Sequence, residues 1–494
     1  MSQAASAGRV ILRGARATAG GFVIRFGARI AFLYVAAHLF GITAFGAYTL
    51  AVAAVELAVT VGGLGSKRIL FKHLEEQDAE RPRIHIVLDS ALLVSAVSAI
   101  LAALFLLTAL AAPATTLSPE VALAVAFLAP TIAGQSLLDL FCAATRWTHA
   151  IRYEVLARSI IEPYASLAFT VAAWALGYRE TGLLIGYSAG TFVALAYALL
   201  GAHRCFQGFR LISWRPAHIT TNLRESATAT FNDVLSGLFG RIDLYLVGIF
   251  LGAAPAGIYG MARQIRTPVR QVRQSFDGLL NPIIAKTLAL KGPTETGIAT
   301  ASAARLILAV QLPILIALAF AGMPLLASFG PAFPPGYAAL LLLAAAEMVQ
   351  GAFGVSDLIL LYRRPLVQIS ITAVSIAVNL AAGALLIAPL GVTGAALSVL
   401  IGVAAGAVIR RQSLRYFFQI RIPLHYSAPP AIAALIATAA AFAVQALIAS
   451  NNLWLHYGPA LVIGLLTYAA VLQAWLRLTR DTLSLGDFQT GTAA

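Results

Sequence analysis

Apolar stretches of bilayer-crossing length recur along this chain, and that recurrence limits the fold before any motif is considered. Runs of about 20 apolar residues fall near 18–40, 45–66, 86–112, 120–142, 156–177, 182–202, 229–251, 256–278, 302–322, 336–361, 366–388, 392–411, 430–449 and 457–476. Fourteen such runs in 494 residues leave room only for short connections. In lipid the backbone must satisfy its own hydrogen bonds, which runs of this length do as helices. Composition agrees: 60% of residues are hydrophobic and 11% charged, against about 25% charged in a soluble domain. The sequence predicts an all-α polytopic membrane protein. Arg9, Arg13 and Arg16 precede the first run, which is longer than a signal-peptide core and lacks a small-residue cleavage site, so it reads as a retained helix.

Loop charges set the orientation. Lys67, Arg68, Lys72, Arg81 and Arg83, then Arg146 and Arg152, then Arg204, Arg210, Arg215 and Arg224 all fall between runs on one side. Lys286, Lys291, Arg363, Arg364, Arg410, Arg411, Arg415, Arg421, Arg477 and Arg480 continue the pattern, while the opposite loops hold Arg179. Positive residues mark the inner side, so both termini are expected in the cytoplasm. The net charge of +14 then reflects topology and contact with anionic lipid rather than nucleic-acid binding. Cys142 and Cys205 both fall on the inner side and imply no disulfide framework.

An internal repeat organises the runs. Gly41-x4-Gly46-Ala-Tyr48 recurs as Gly252-x4-Gly257-Ile-Tyr259, an offset of 211 residues. Gly177-x4-Gly182 and the shortened Gly391-x2-Gly394 mark other outer turns, where glycine permits a tight reversal. The offset covers an even number of runs, so the halves share one orientation. Two six-helix lobes related as parallel repeats follow, plus two C-terminal helices: 1–215, 216–425 and 426–494. A midplane site at the repeat interface is expected of such an arrangement.

The run at 256–278 is hydrophilic enough to escape a hydropathy plot. Arg263, Arg266, Arg270 and Arg273 recur at helical spacing and share one face. The offset of 211 places them on Val52, Val55, Val59 and Gly62, an apolar copy of the same helix. Arginine facing lipid is costly, so the ladder is expected to face the bundle interior or water. Arg25 and Arg29 in the first run and Arg241 in the seventh would join it around a cationic cavity for a phosphate-bearing ligand, since guanidinium binds phosphate oxygens bidentately. Glu56, Asp233, Asp243, Glu162 and Glu347 also lie within runs. At Arg241 an ion pair with Asp233 or Asp243 is an equal alternative. For the ladder, few acids lie close in sequence, so arginines are expected to outnumber them. Glu56, Asp233, Asp243 and Glu347 are candidates for balancing charge or carrying a coupling ion. Pro130, Pro163, Pro268, Pro313 and Pro324 are expected to bend their helices, Pro268 inside the ladder itself.

The segments Leu39–Leu70, Ala256–Arg266 (AGIYGMARQIR) and Pro389–Val399 (PLGVTGAALSV) resemble the polysaccharide-unit flippases, the Wzx-type members of the multidrug/oligosaccharidyl-lipid/polysaccharide (MOP) superfamily. The resemblance spans nearly the whole chain. It implies alternating access between two six-helix lobes, and transfer of undecaprenyl-pyrophosphate-linked oligosaccharides from the inner to the outer leaflet for exopolysaccharide or O-antigen synthesis. It also implies membrane lipids as partners, and with them a polysaccharide polymerase and a chain-length regulator. It carries no catalytic signature, and the arginines above rest on their position alone.

Other classes remain in view. A multidrug antiporter of the same superfamily moves organic cations, which an arginine-lined cavity repels. A lipid II flippase would share the span count and the cationic cavity. A polymerase or ligase would need an outer acceptor site, but the outer loops are short and nearly free of titratable groups. His73, His85, His149, His203, His218 and His425 lie in loops without metal-ligand spacing. No nucleotide loop or Ser-His-Asp set is legible, so neither an enzyme, a metal nor a cofactor is expected. His85 and Asp89 share a face at the start of the third run and are expected to make an interfacial contact.

Overall fold

The computed structural model describes residues 2–75, 82–111, 118–206, 230–231, 233–290 and 292–479. Every regular element among them is helical. They gather into two compact units: Met1–Arg241 with Leu251–Gly257, and Ile242–Phe250 with Ile258–Ala494.

In the first unit, α1 (Ser2–Gly62) and α2 (Ser66–Glu75) lead to α3 (Arg83–Ala111), α4 (Pro119–Leu128) and α5 (Thr131–Trp147). Then come α6 (Ile151–Leu156), α7 (Glu162–Ala175), α8 (Gly182–Cys205) and the short α9 (Asp233–Phe239). The second unit is built on α10 (Ile242–Leu251), the part of α11 (Ala253–Ile265) from Ile258 on, α12 (Thr267–Leu290) and α13 (Gly292–Ser328), while Leu251–Gly257 belongs to the first. It continues through α14 (Tyr337–Phe353), α15 (Asp357–Arg363) and α16 (Pro365–Phe418) to α17 (Ala428–Leu447) and α18 (Leu453–Thr479).

Among the described residues nine helices are long and apolar enough to cross a membrane, or eleven if two bent pairs each count once. The pairs are α4 with α5, bent by 42°, and α9 with α10, bent by 48°. Pro130 stands at the first break and the Gly240–Arg241 turn at the second. Three of the nine are far longer than one crossing needs; Gly292–Ser328, with 37 residues, is unbroken, and the other two are not. Arg25–Gly62 has 38 residues and Pro365–Phe418 has 54, about 57 and 81 Å at 1.5 Å per residue. Each contains one non-helical glycine, Gly41 with φ 76° and Gly391 with φ 57°. Two crossings joined by a glycine turn fit each of them. Helices α11 and α12, which carry the arginines, are not among the nine.

The repeat glycines have two distinct jobs. Gly41, Gly177, Gly252 and Gly391, the first of each motif, all take positive φ, where a side chain would be strained. The second glycine permits close approach. A Cβ on Gly46 would strike the carbonyl of Ala253 and come within 2.9 Å of the Gly257 nitrogen. One on Gly257 would stand 2.5 Å from the Ile42 oxygen and 3.3 Å from the Gly46 Cα. The two motifs recognised by their spacing therefore meet backbone to backbone inside the first unit.

Small residues also seat the last helices. Ala433, Ala437 and Ala441 recur every fourth residue on α17 and are buried against Ile316, Phe320 and Tyr468. Without a hydrophobic drive between helices in lipid, such close contact supplies the attraction. The Tyr468 hydroxyl donates to the Ala309 carbonyl at 2.9 Å, tying α18 to α13.

Replacing Gly46 or Gly257 by alanine should each cost about 1–3 kcal/mol, because the obstacle is backbone that cannot rotate away. The loss would show as a lower thermal midpoint of the purified protein. Gly27→Ala is the control, since nothing lies within 4 Å of its added Cβ; equal midpoints for all three would refute the interlock.

Candidate functional site

The four ladder arginines do not share one continuous helix. The chain breaks at Arg266, between α11 ending at Ile265 and α12 starting at Thr267. Pro268, in the first turn of α12, has no N–H to continue the ladder of hydrogen bonds from α11. The helix is interrupted next to Pro268, and the interruption divides the expected single helical face. Gln311, fully buried on α13, donates from Nε2 to the Val269 carbonyl at 2.9 Å and braces the start of α12.

The acids near the ladder come from other helices, and two of them meet two of its four arginines. Arg263 donates to Asp243 Oδ1 at 2.5 Å, and the buried Tyr259 hydroxyl donates to Asp243 Oδ2 at 2.6 Å. Arg266 donates to Glu347 Oε1 at 2.8 Å, with both side chains almost fully buried. Asp243 lies 20 residues from Arg263 and Glu347 lies 81 from Arg266, so sequence proximity could not reveal either. Arg270 is exposed and forms no ion pair among the described residues. Arg273 is partly buried with its guanidinium beside Gly354. A further pair, Arg410 with Asp357, lies in the same unit.

The repeat explains part of this chemistry. The offset of 211 carries Tyr259 and Asp243 onto Tyr48 and Phe32. Those rings are also in contact, with centroids 5.7 Å apart. The same helix–helix contact is thus aromatic in one unit and acid–phenol in the other.

In the first unit Arg241 pairs with Glu56 rather than with Asp233 or Asp243. Its Nε and Nη2 donate to Glu56 Oε2 at 3.1 and 2.8 Å, and Nη1 donates to the Gly237 carbonyl at 3.2 Å. The reason is the turn at Gly240–Arg241, which sends the guanidinium toward α1, while Asp243 already serves Arg263. Arg25 is exposed, Arg29 is partly buried, and Asp233 is partly buried.

One network was missed by sequence reasoning. Arg158 lies in a π-helical turn, Ala157–Ile161, between α6 and α7. The Glu162 N–H reaches back five residues to the Ala157 carbonyl, and Pro163 follows without an N–H of its own. Arg158 contacts Asp139 and donates to Glu162 Oε2 at 3.0 Å and Gln135 Oε1 at 2.7 Å. Gln135 in turn donates to Glu162 Oε1 at 2.7 Å and Thr191 at 3.1 Å. Arg158 and Glu162 at i,i+4 inside an apolar run were the available signal. His85 and Asp89, expected at an interface, are both buried. No group of three metal-ligating side chains gathers among the described residues.

A family model described as "Polysaccharide biosynthesis protein" matches residues 11–288, more than half of the chain. No curated protein matches in sequence. Among solved structures, "Lipid II flippase MurJ, inward closed conformation" is 15% identical with a TM-score of 0.76, covering 93% of this chain and 99% of that one. An inward-facing multidrug resistance MATE family transporter of the MOP superfamily is 10% identical with a TM-score of 0.67, covering 80% and 98%. A MATE transporter from Vibrio cholerae is 14% identical with a TM-score of 0.53, covering 84% and 99%. At these identities the likeness concerns the fold.

If the Arg266–Glu347 pair is structural, Glu347→Ala should destabilise by about 3–5 kcal/mol by stranding a buried cation. The double variant Arg266→Met/Glu347→Leu should recover most of that loss in thermal unfolding. A double variant no more stable than Glu347→Ala would contradict the assignment.

Proposed function

Given that the chain belongs to the polysaccharide biosynthesis protein family, in the MOP superfamily, we propose that it is a transporter rather than an enzyme. It flips undecaprenyl-pyrophosphate-linked oligosaccharide units from the inner to the outer leaflet of the bacterial inner membrane, by alternating access. Fourteen crossings with both termini in the cytoplasm accord with the loop charges and with the two glycine-broken helices, each long enough to cross twice. A polysaccharide polymerase and a chain-length regulator are its expected partners downstream.

The observation that carries the substrate class is the exposure of Arg25, at the start of the first membrane-crossing helix, and of Arg270, on the hydrophilic α12. A guanidinium turned toward lipid costs several kcal/mol, which favours a water-filled, cationic surroundings for both. Arg241 with Glu56 is also partly exposed, at 24% and 48% of their side chains, and fits the same wet environment. Arg263 and Arg266 have a different role in this reading: their acids hold them in place, and they set the field around Arg270. Arg29 and Arg273 are the remaining candidates for contact with phosphate or acidic sugars. An excess of guanidinium at the accessible positions suits a pyrophosphate and disfavours the organic cations of multidrug export.

The test is flipping of undecaprenyl-pyrophosphate oligosaccharide in reconstituted vesicles. Arg25→Ala and Arg270→Ala should each slow transport about tenfold or more, the factor for losing a charge-assisted hydrogen bond, with unchanged thermal midpoints. Arg270→Lys should recover part of the rate. Wild-type transport by both alanine variants would remove these arginines from the substrate path.

A further inference from the structure

The inner ends of α2, α3, α5 and α8 surround a cavity of about 810 Å3 in the first unit. Its lining residues, Phe71 and Glu75, Pro82 to Ile84, Arg146 to His149, and Cys205 with Phe206, lie at helix ends that the charge pattern assigns to the inner side. Phe71, Trp147 and Phe206 make an apolar wall, with the Trp147 and Phe206 rings stacked 6.5 Å apart. Arg83, Arg146 and His149 bring the cationic and titratable groups, and Glu75 the carboxylate, of the lining. The Arg83 guanidinium lies over the Trp147 ring at 4.7 Å. Arg146 reaches Glu154 at 3.0 Å with its side chain 45% exposed, so one edge still faces outward.

His149 is the unusual member. Its φ of 61° is left-handed, in the turn that closes α5 through Ala150 N–H to the Thr145 carbonyl at 3.0 Å. Glycine or asparagine is the common choice at such a helix end. A histidine there is strained, and it adds an imidazole to the lining. The volume is in the range of a small-molecule site, and the combination of basic groups with an aromatic wall suits a ligand that is anionic at one end and apolar at the other.

We propose that this cavity binds the phosphate headgroup of an anionic phospholipid from the inner leaflet, with Arg83, Arg146 and His149 at the phosphate and the glycerol–acyl stem along Phe71, Trp147 and Phe206. A free phosphate would need the basic groups but has no use for the wall. Tryptophan at a helix end is also the residue that settles at headgroup depth. The assignment rests on the inner-side orientation read from loop charge and is independent of the cargo.

Cys205 lines the cavity and is partly exposed, whereas Cys142, the second cysteine, is buried. Maleimide labelling of the intact protein in nanodiscs therefore reports on this one place. In nanodiscs containing phosphatidylglycerol, Cys205 should label about fivefold more slowly than in pure phosphatidylcholine. The variant Arg83→Gln/Arg146→Gln/His149→Asn should label at the wild-type phosphatidylcholine rate in both, showing an intact cavity without the lipid. Equal wild-type rates in the two lipids, or protection that survives in the variant, would overturn the proposal. So would equal protection by millimolar inorganic phosphate in phosphatidylcholine, which would mark a site for a free anion. A membrane-impermeant label applied to sealed vesicles tests the orientation separately, and vesicle flipping tests the cargo.

Discussion

A charge inside a bilayer needs a counter-charge or water, and the interiors of both units are arranged around that requirement. Arg263 meets Asp243, Arg266 meets Glu347, and Arg410 meets Asp357 in the second unit; Arg241 meets Glu56 and Arg158 meets Asp139 and Glu162 in the first. Most of these pairs join different helices. Each one fixes a rotation of two helices about their axes, since a slip of one residue would strand both charges. The pairs also divide the arginines into kinds. Those with a buried partner hold the scaffold, whereas Arg25 and Arg270 are exposed.

The two halves use one scaffold for different ends. Glycine turns with positive φ recur at Gly41 and Gly252, and the contact made by Tyr48 with Phe32 recurs as Tyr259 with Asp243. Backbone geometry is therefore preserved while the side chains change from apolar to charged. Val52 and Val55 stand where the second half has Arg263 and Arg266. Both of these arginines meet acids from neighbouring helices, Asp243 on α10 and Glu347 on α14. At the break by Arg266, Pro268 supplies no N–H, and Gln311 from α13 donates to the Val269 carbonyl at the start of α12.

Much of this was legible in one dimension. Long apolar runs dictate helices because lipid offers no hydrogen bonds to the backbone, and the glycine motifs mark turns because only glycine tolerates their φ. The interlock of Gly46 with Gly257 was signalled by the repeat, although not its backbone contact. The interruption next to Pro268 accords with its missing N–H. The partners of the arginines were not legible. Arg241 was matched to the acids nearest in sequence, yet it reaches Glu56, 185 residues away. Arg158 went unnoticed because an i,i+4 pair on a helix is usually solvated, and its burial depends on α5 and α8 arriving beside it.

The sequence by itself thus determined that the chain crosses the membrane many times, that its basic loops alternate with loops nearly free of basic residues, where it turns, and that a glycine–tyrosine motif recurs 211 residues on. Periodicity and residue chemistry are local, and each crossing satisfies its backbone within itself. Only the tertiary structure decided which arginine is neutralised, which remains exposed, and that the second motif glycines touch. Those outcomes depend on which helix faces which, a matter of packing between segments far apart in the chain, where electrostatic energy falls with distance in space and takes no account of distance in sequence.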